Sequence, residues 1–330
     1  MSKLKLTLAC WNYDRTRALA DGSVQADGID LNYLTLPVEE TFFRMLRHRE
    51  FEAAEMSLSS YTVSLFREDP SFIAIPIFPS RSFRHNAIYV STKRGIREPG
   101  DLRGKRVGNP EYQLTAQVWI RGILSDEYGV APAAVEYWTG GEETPGREEK
   151  IALDLPPEFR IRRIGPDQTL SRMLADGDID ALYAPRIPST LFSRPDDVRR
   201  LFENYAEVER AYYRKTRIFP IMHVVAIRRD IYRAYPWVAQ SLYKAFVQAQ
   251  RLVYEDLKET AALKSMLPWL TAHVEDVVKT MGGDWWSYGF GPNRHVIETF
   301  LRYHHEQGLS KRRLRPEELF APETLEAFTI

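Results

Sequence analysis

An internal repeat constrains the fold of this 330-residue chain more than any other feature of its sequence. The segment TFFRMLRHREFEAAEMSLSSY begins at Thr41, and TLSRMLADGDIDALYAPRIPS begins at Thr169, so the two copies align without a gap. The identical pairs are Thr41 and Thr169, Arg44 and Arg172, Met45 and Met173, Leu46 and Leu174, and Ala53 and Ala181. Each copy has the pattern of a helix, a short turn and a buried strand, which predicts two similar α/β lobes.

The segments around the repeat also alternate between strand and helix patterns. Leu4, Leu6 and Leu8 alternate with polar residues, as in a strand with one buried face, and IDLNYLTL continues that pattern from Ile29. FIAIPIF predicts a further strand, and Pro76 within it predicts a sheet edge or a crossing. After about residue 230 the pattern becomes mainly helical. The fold class is therefore α/β.

Charge and composition exclude several classes of function. Lys plus Arg and Asp plus Glu each number 45, so no net charge favours a nucleic acid or an anionic membrane as partner. No apolar run approaches the roughly 20 residues that a membrane-spanning helix needs. The apolar run before Cys10, the single cysteine, is too short for a signal peptide. We therefore expect a cytoplasmic protein.

Four segments carry a resemblance to a known family. FPSRSFRHNAIYV, GKRVGNPEYQLTAQVWIRGIL, FPIMHVV and GDWWSYGFGPNRH together resemble the 4,5-dihydroxyphthalate decarboxylase family over nearly the whole chain. The two α/β lobes are similar to the type II periplasmic-binding-protein fold, in which the ligand lies in a cleft between the lobes. The resemblance implies that residues 1–104 and 216–330 form lobe 1, and that residues 105–215 form an inserted lobe 2.

The resemblance implies the conversion of 4,5-dihydroxyphthalate to protocatechuate and CO2. Direct loss of CO2 would leave an unstabilised aryl anion, so the easier route first protonates the ring carbon that bears the carboxylate. A hydroxyl para to that carbon supplies the electrons, and neither an organic cofactor nor a metal is needed. The protein must supply a carboxylate anchor, a base, an acid and a flat apolar slot.

Histidines and arginines near predicted strand ends are the main candidates for these roles. His85 and His223 are the predicted proton carriers, because histidine titrates near neutrality, although a histidine on an apolar strand is often a structural core residue. Arg81 and Arg186 are predicted to bind carboxylates. Arg84 either supports the site or belongs to a solvated basic turn.

Smaller polar side chains are predicted to bind the substrate from both lobes. Ser57 and Ser59 follow the first repeated strand, where they either donate to a ligand oxygen or cap the next helix. Asn109 leads into a helix expected to start near Glu111, whose free N–H groups favour an anion. Tyr112 and Thr115 are predicted to face the ligand. Glu111 is assigned a supporting role as a carboxylate that compensates the helix dipole.

The segment from Gly282 to His295 is interpreted as a loop with two aromatic contacts to the substrate. Trp285 and Trp286 are predicted to stack on the planar ring and to exclude water. Asp284 and Arg294 are predicted to brace the loop.

Two other functions remain open from the sequence. A binding protein or sensor for a small aromatic carboxylate would need the same fold and arginines without the chemistry. A metal-dependent decarboxylase could use His85, His223 and either Glu111 or Asp284, but no histidine pair has metal-ligand spacing. A nucleophilic hydrolase is disfavoured, because no G-x-S-x-G motif is present and Cys10 has no histidine nearby in sequence. We also expect a homo-oligomer.

Overall fold

The computed structural model describes residues 2–326 and contains an α/β fold with two sheets. Within that range the strands are β1 (Leu4–Cys10), β2 (Ile29–Thr35), β3 (Ala53–Ser57), β4 (Phe72–Ile75), β5 (Ile88–Ser91), β6 (Arg106–Asn109), β7 (Glu136–Thr139), β8 (Arg160–Arg163), β9 (Ala181–Tyr183), β10 (Val198–Arg200) and β11 (His223–Arg228).

The α-helices of the described range are interspersed with the strands until β11 and then dominate. They are α1 (Asp14–Ala20), α2 (Val38–His48), α3 (Leu58–Ser64), α4 (Thr115–Tyr128), α5 (Leu170–Asp176), α6 (Thr190–Ser193), α7 (Tyr205–Thr216), α8 (Arg229–Ala234), α9 (Trp237–Asp256), α10 (Leu270–Met281) and α11 (Phe290–Glu306). The predicted change to a mainly helical chain near residue 230 is confirmed.

The internal repeat is confirmed as a repeated helix–turn–strand unit. Its copies are α2 with β3 and α5 with β9, and these two strands lie in different sheets. Each helix ends at a residue with left-handed backbone, Arg49 at φ 52° and Gly177 at φ 84°, and these residues occupy the same position of the repeat. The left-handed residue ends the helix and directs the chain into the buried strand. Glycine adopts this conformation without strain because it has no Cβ atom.

The chain forms two compact units, and the first contains residues 2–81, 221–297 and 315–326. Its sheet has the strand order β2-β1-β3-β11-β4, so the predicted edge position of FIAIPIF is confirmed. Strands β1, β2 and β3 are parallel, whereas β11 is antiparallel to both β3 and β4. All five residues of β3 are buried, which is expected for a strand covered on both faces.

The second unit contains residues 82–220 and 298–314. Its sheet has the order β10-β5-β9-β6-β7-β8. The sequence predicts residues 82–104, 216–220 and 298–314 in lobe 1, but they belong to this unit. Residues 82–104 lie here because β5 pairs with β9 and β10. Tyr303 packs so closely over Gly122 of α4 that an added Cβ there would lie 2.1 Å from its ring.

Two predicted boundaries are wrong by a few residues. Helix α4 begins at Thr115 and not near Glu111, because the Glu111 carboxylate turns away to bind the side chains of Arg147 and Lys150. The loop predicted from Gly282 to His295 ends at Gly289, and the residues that follow form the first turns of α11.

Candidate functional site

The edge of the first sheet at which β1 and β3 end brings together polar side chains from three strands. Strands β1 and β3 are parallel, so Cys10 and Ser57 lie at the same edge. Strand β11 runs the opposite way and begins at this edge, where His223 is paired with Ser57. The topology therefore brings His223 beside the ends of β1 and β3, although these residues are far apart in sequence.

His223 is hydrogen bonded to a buried carboxylate at this edge. Its Nδ1 lies 2.6 Å from Oε1 of Glu55, a residue in the middle of β3 that is fully buried. A carboxylate only accepts, so Nδ1 carries the proton and Nε2 is the second ring nitrogen. Among residues 2–326, Nε2 of His223 has no hydrogen-bond partner, and the side chain is 18% exposed. This nitrogen is available to a ligand.

Glu55 is the centre of a wider hydrogen-bond network. Oε1 also accepts from the Tyr13 hydroxyl at 2.6 Å, and Oε2 accepts from the Trp11 backbone N–H at 3.1 Å and from the Cys10 thiol at 3.5 Å. Burial alone would raise the pKa of Glu55. The charge of His223 and the hydrogen bonds from His223, Tyr13 and the Trp11 backbone instead hold that pKa below its usual value. The carboxylate is therefore ionised.

The neighbours of Glu55 keep their own protons. Burial, and then the charge of Glu55, raises the pKa of the Cys10 thiol well above its usual value. The same two causes raise the pKa of the Tyr13 hydroxyl. A protonated, fully buried thiol is a poor nucleophile, so Cys10 acts here as a weak donor to Glu55.

Arginine and tryptophan side chains stack beside Tyr13. The guanidinium carbon of Arg15 lies 4.0 Å from the Tyr13 ring centroid and 4.2 Å from that of Trp286. Arg15 Nε donates to the Pro79 carbonyl at 2.6 Å, and the Trp286 indole N–H donates to the Phe78 carbonyl at 2.9 Å. A cation thus lies between two aromatic faces at the edge that carries His223.

Arg81, a predicted carboxylate ligand, is bound to the loop that follows α10. It is 7% exposed, and its guanidinium donates to the Ser287 carbonyl at 2.8 Å and to Oδ1 of Asn293. Ser57 accepts a hydrogen bond from the Ser60 backbone N–H at 3.4 Å and so caps α3, while Ser59 is fully buried in that helix. The direct roles of these residues in substrate binding stay predictions.

The two adjacent tryptophans point to different neighbours. Trp286 lies against Phe78 and Arg15, as described above, whereas Trp285 packs edge-on against Tyr254 of α9 with the ring centroids 4.7 Å apart. Asp284 accepts from the Tyr254 hydroxyl at 3.0 Å, and Arg294 forms an ion pair with Glu317 at 2.6 Å. Asp284 is thus tied to α9, whereas Arg294 lies in the first turns of α11. The bracing of the loop by these two residues stays a prediction.

His85, the other predicted proton carrier, lies in the second unit in an aromatic enclosure. The side chain is 1% exposed, and its ring meets those of Phe202 at 5.3 Å, Tyr212 at 5.2 Å and Tyr128 at 6.5 Å. Neither ring nitrogen has a hydrogen-bond partner within the part of the chain that the structure describes. Burial lowers the pKa of His85 to about 4, so the ring is neutral at pH 7.

The predicted ligand-binding residues near α4 are buried in the second unit. Tyr112 donates to the Gln307 carbonyl at 3.0 Å, and Asn109 donates to the Val107 carbonyl at 3.4 Å. Thr115 is 4% exposed at the start of α4. Glu111 forms ion pairs with Arg147, at 2.6 Å, and with Lys150. Glu111 is therefore the centre of a buried ion cluster, and the binding roles of the other three stay predictions.

Two arginines of the second unit, Arg84 and Arg186, are predicted from the sequence to lie at or near the site. Arg84 donates to the Pro185 carbonyl at 3.5 Å, and burial lowers its pKa to about 10 against the opposing charge of Glu209. Arg186 is exposed just after β9. The predicted binding of a carboxylate by Arg186 stays a prediction.

Sequence reasoning missed Glu55, Tyr13 and Arg15. Glu55 had a visible signal, because it is the one charged residue in the strand AAEMS, and a buried charge requires partners. Tyr13 and Arg15 follow β1 in the segment WNYDR, which begins at Trp11. The sequence predicts the strand that ends just before Tyr13 and Arg15. Residues that follow a strand end often face a ligand site, and this rule could have identified both.

The structure also bears on metals and membranes. Among the described residues, no group of three or more His, Cys, Asp or Glu side chains is arranged to hold a metal ion. None of the helices in residues 2–326 combines the length and the apolar character needed to cross a bilayer.

Two solved structures with a similar fold are sulfonate-binding proteins. The periplasmic sulfonate-binding protein SsuA from Methylobacillus flagellatus has a TM-score of 0.55 and 11% identity, covering 97% of this chain and 92% of that one. The aliphatic sulphonate-binding protein SsuA from Escherichia coli has a TM-score of 0.52 and 11% identity, with 98% and 99% covered. At this level of identity they establish the periplasmic-binding-protein fold.

Curated relatives are much more similar in sequence. No protein-family model matches the chain. The 4,5-dihydroxyphthalate decarboxylase of Comamonas testosteroni is 44% identical over 330 residues, which is 100% of both chains. The protein of the same name from Pseudomonas putida is 44% identical over 214 residues, or 65% of this chain and 83% of that one. Identity at this level over the full length shows that the chain belongs to the 4,5-dihydroxyphthalate decarboxylase family.

Proposed function

We propose that this protein decarboxylates 4,5-dihydroxyphthalate to protocatechuate and CO2. The observation that carries the proposal is the 44% identity, over the whole chain, to a relative of that name. The reaction consumes one proton, because the ring carbon exchanges its bond to the carboxylate for a bond to hydrogen. The protein must therefore deliver a proton to that carbon and hold the substrate while aromaticity is lost and regained.

His223 is the proton carrier in this proposal. Glu55 holds the proton on Nδ1, which leaves Nε2 to exchange the second proton with a ligand. In the forward reaction Nε2–H protonates the ring carbon that bears the carboxylate, and the para hydroxyl oxygen supplies the electron pair. The bond to the carboxylate then breaks, CO2 leaves, and its bonding electrons restore the aromatic ring. Solvent returns the proton to Nε2.

Arg15 and the aromatic rings around it are proposed to hold the substrate. The Arg15 side chain is 15% exposed between Tyr13 and Trp286, and its Nη1 also lies 3.0 Å from Oδ1 of the exposed Asp14. A cation and two flat rings are thus presented together. A charge-assisted hydrogen bond from arginine suits the carboxylate that remains in the product. The aromatic surface excludes water beside the leaving carboxylate and so favours neutral CO2 over the charged group.

The test is turnover by the purified chain. We expect 4,5-dihydroxyphthalate to give CO2 and protocatechuate in equal amounts, with one deuterium at the vacated ring carbon when the reaction runs in D2O. Phthalate is the matched control, since it lacks the para hydroxyl and should release no CO2. Tight binding of 4,5-dihydroxyphthalate without CO2 release would overturn the proposal in favour of a binding protein.

A cytoplasmic location and assembly into a homo-oligomer stay predictions. Cell fractionation would test the first, and light scattering of the purified protein would test the second.

A further inference from the structure

A cavity of ≈ 540 Å³ lies within the first unit between α9, α10 and residues 283–288. This volume is within the range of small-molecule sites. The wall from α9 includes Tyr243, Gln250, Arg251 and Tyr254, and α10 contributes valines, among them Val278. We call this cavity the α9–α10 pocket. It takes no part in the proton transfer proposed for His223.

The side chains of the α9–α10 pocket suit a flat anion. Tyr254 and Trp285 both line the pocket and meet at 88°, so they supply two aromatic rings at right angles to each other. Arg251 of α9 and Lys258, two residues beyond the end of that helix, both line the pocket. Neither has an ion-pair partner among residues 2–326, whereas the opposing carboxylate, Asp284, accepts from the Tyr254 hydroxyl. Two cations against one carboxylate favour an anionic ligand.

The pocket is also connected to Trp286 at the edge of the first sheet. The Tyr254 hydroxyl accepts from the Trp286 backbone N–H at 3.1 Å, and the Gln250 side chain donates to the Trp286 carbonyl at 2.5 Å. Both side chains line the pocket, and Trp286 stacks on Arg15. A ligand that displaces Tyr254 or Gln250 would therefore strain or break a hydrogen bond to the backbone that carries the Trp286 indole.

We propose that the α9–α10 pocket is a second binding site for a planar aromatic carboxylate, coupled through Trp286 to the edge that carries Arg15 and His223. The ligand ring would stack on Trp285, and its carboxylate would bind Arg251 and Lys258. The site itself is independent of the reaction, but the coupling to catalysis rests on the proposed function. Occupancy then adjusts substrate affinity without a contact to the substrate.

The binding test uses 1-naphthoate, an aromatic carboxylate that has no phenolic hydroxyl. Calorimetry on the whole chain should detect binding that is lost in Val278→Trp, which fills the pocket from a side chain that is 41% exposed. Thr271→Trp is the matched control, since it places the same side chain on an exposed position of α10 outside the lining, and it should bind as wild type does. Arg251→Ala combined with Lys258→Ala should weaken binding about 10- to 100-fold.

The coupling test measures the KM for 4,5-dihydroxyphthalate with and without 1-naphthoate. We expect a shift of about 5- to 150-fold in wild type and in Thr271→Trp, and no shift in Val278→Trp. Equal calorimetric binding by wild type and Val278→Trp, or no binding by wild type, would overturn the site. A KM shift in Val278→Trp equal to that in wild type would overturn the coupling. Calorimetry needs no turnover, so failure of the site is distinguished from failure of the decarboxylase proposal.

Discussion

Two histidines show how differently the two units treat the same side chain. His223, in the first unit, lies at the start of a strand with Nδ1 held by the ionised Glu55 and Nε2 without a partner among the described residues. His85, in the second unit, is enclosed by three aromatic rings and is neutral at pH 7. The difference lies in the partners, since only His223 has a group that fixes one nitrogen and leaves the other accessible. A proton carrier needs one ring nitrogen held by a partner and the other accessible to the substrate. Burial without a partner, as at His85, provides neither.

The sharpest test of this comparison is the replacement of His223 by glutamine. Glutamine can keep a hydrogen bond to Glu55 but cannot carry a proton, so kcat should fall by about 10²- to 10⁴-fold. Affinity for a non-reacting analogue, followed by calorimetry, should change little because Arg15 still binds the carboxylate. A normal kcat in His223→Gln would mean that the two histidines do not differ in catalysis.

The second test asks whether His85 is a stability group. Its folded-state pKa of about 4 lies below the roughly 6.5 of an unfolded histidine, so the unfolded chain binds more protons between these pH values. The free energy of unfolding is therefore unaffected by His85 above pH ~6.5, and it decreases as the pH falls toward ~4, because protonation of His85 favours the unfolded chain. The loss should be about 3 kcal/mol, because each pKa unit corresponds to roughly 1.4 kcal/mol.

His85→Phe is the matched variant for that measurement. Phenylalanine fills the aromatic enclosure without a titrating group. When denaturation is followed across the same pH range, the free energy of unfolding of the variant should therefore lack the decrease of about 3 kcal/mol expected for wild type. Its kcat should stay close to wild type. A large fall in kcat with unchanged stability would return the proton-carrier role to His85.

The third test removes the carboxylate that positions His223. In Glu55→Gln the amide oxygen can still accept from Nδ1, but the negative charge of the acceptor is lost. A hydrogen bond to a charged group is worth about 1.5–3 kcal/mol, so kcat should fall roughly 10- to 100-fold with little change in KM. Tyr13→Phe is the control, since it removes one donor to Glu55 and leaves the contact to His223 in place. Equal losses in the two variants would show that the network acts on stability and not on the histidine.

The smallest expected effect is that of a chelator, which should leave turnover unchanged. The para hydroxyl of the proposed substrate supplies the electrons, so neither histidine needs to be a metal ligand. Dialysis against EDTA, followed by measurement of CO2 release with and without added divalent metal, provides the test. If EDTA abolished activity and a divalent metal restored it, metal binding would explain the difference between the two histidines, and the Glu55 carboxylate would not.

The fold could be predicted further than the site could. The repeat at Thr41 and Thr169 predicted two α/β units, because helix and strand periodicity are local properties of the sequence. The Glu55–His223 contact depends on β11 entering the sheet between β3 and β4, and no local pattern specifies such a long-range neighbour. His85 lies in a basic turn whose composition is typical of a solvated surface, and its burial depends on the rings of Phe202 and Tyr212, which come from distant segments.

The position of β11 also has a consequence for how the protein folds as it is made. The ribosome releases β1 to β4 early, but β11 begins only at His223, and until then the edges of β3 and β4 that it joins are unpaired. Contacts of this sequence separation slow folding, and unpaired edges invite association with other chains. A nascent chain that ends before residue 223 has neither the complete sheet nor the histidine partner of Glu55, so the sheet of the first unit and the Glu55–His223 contact are completed in the same late step.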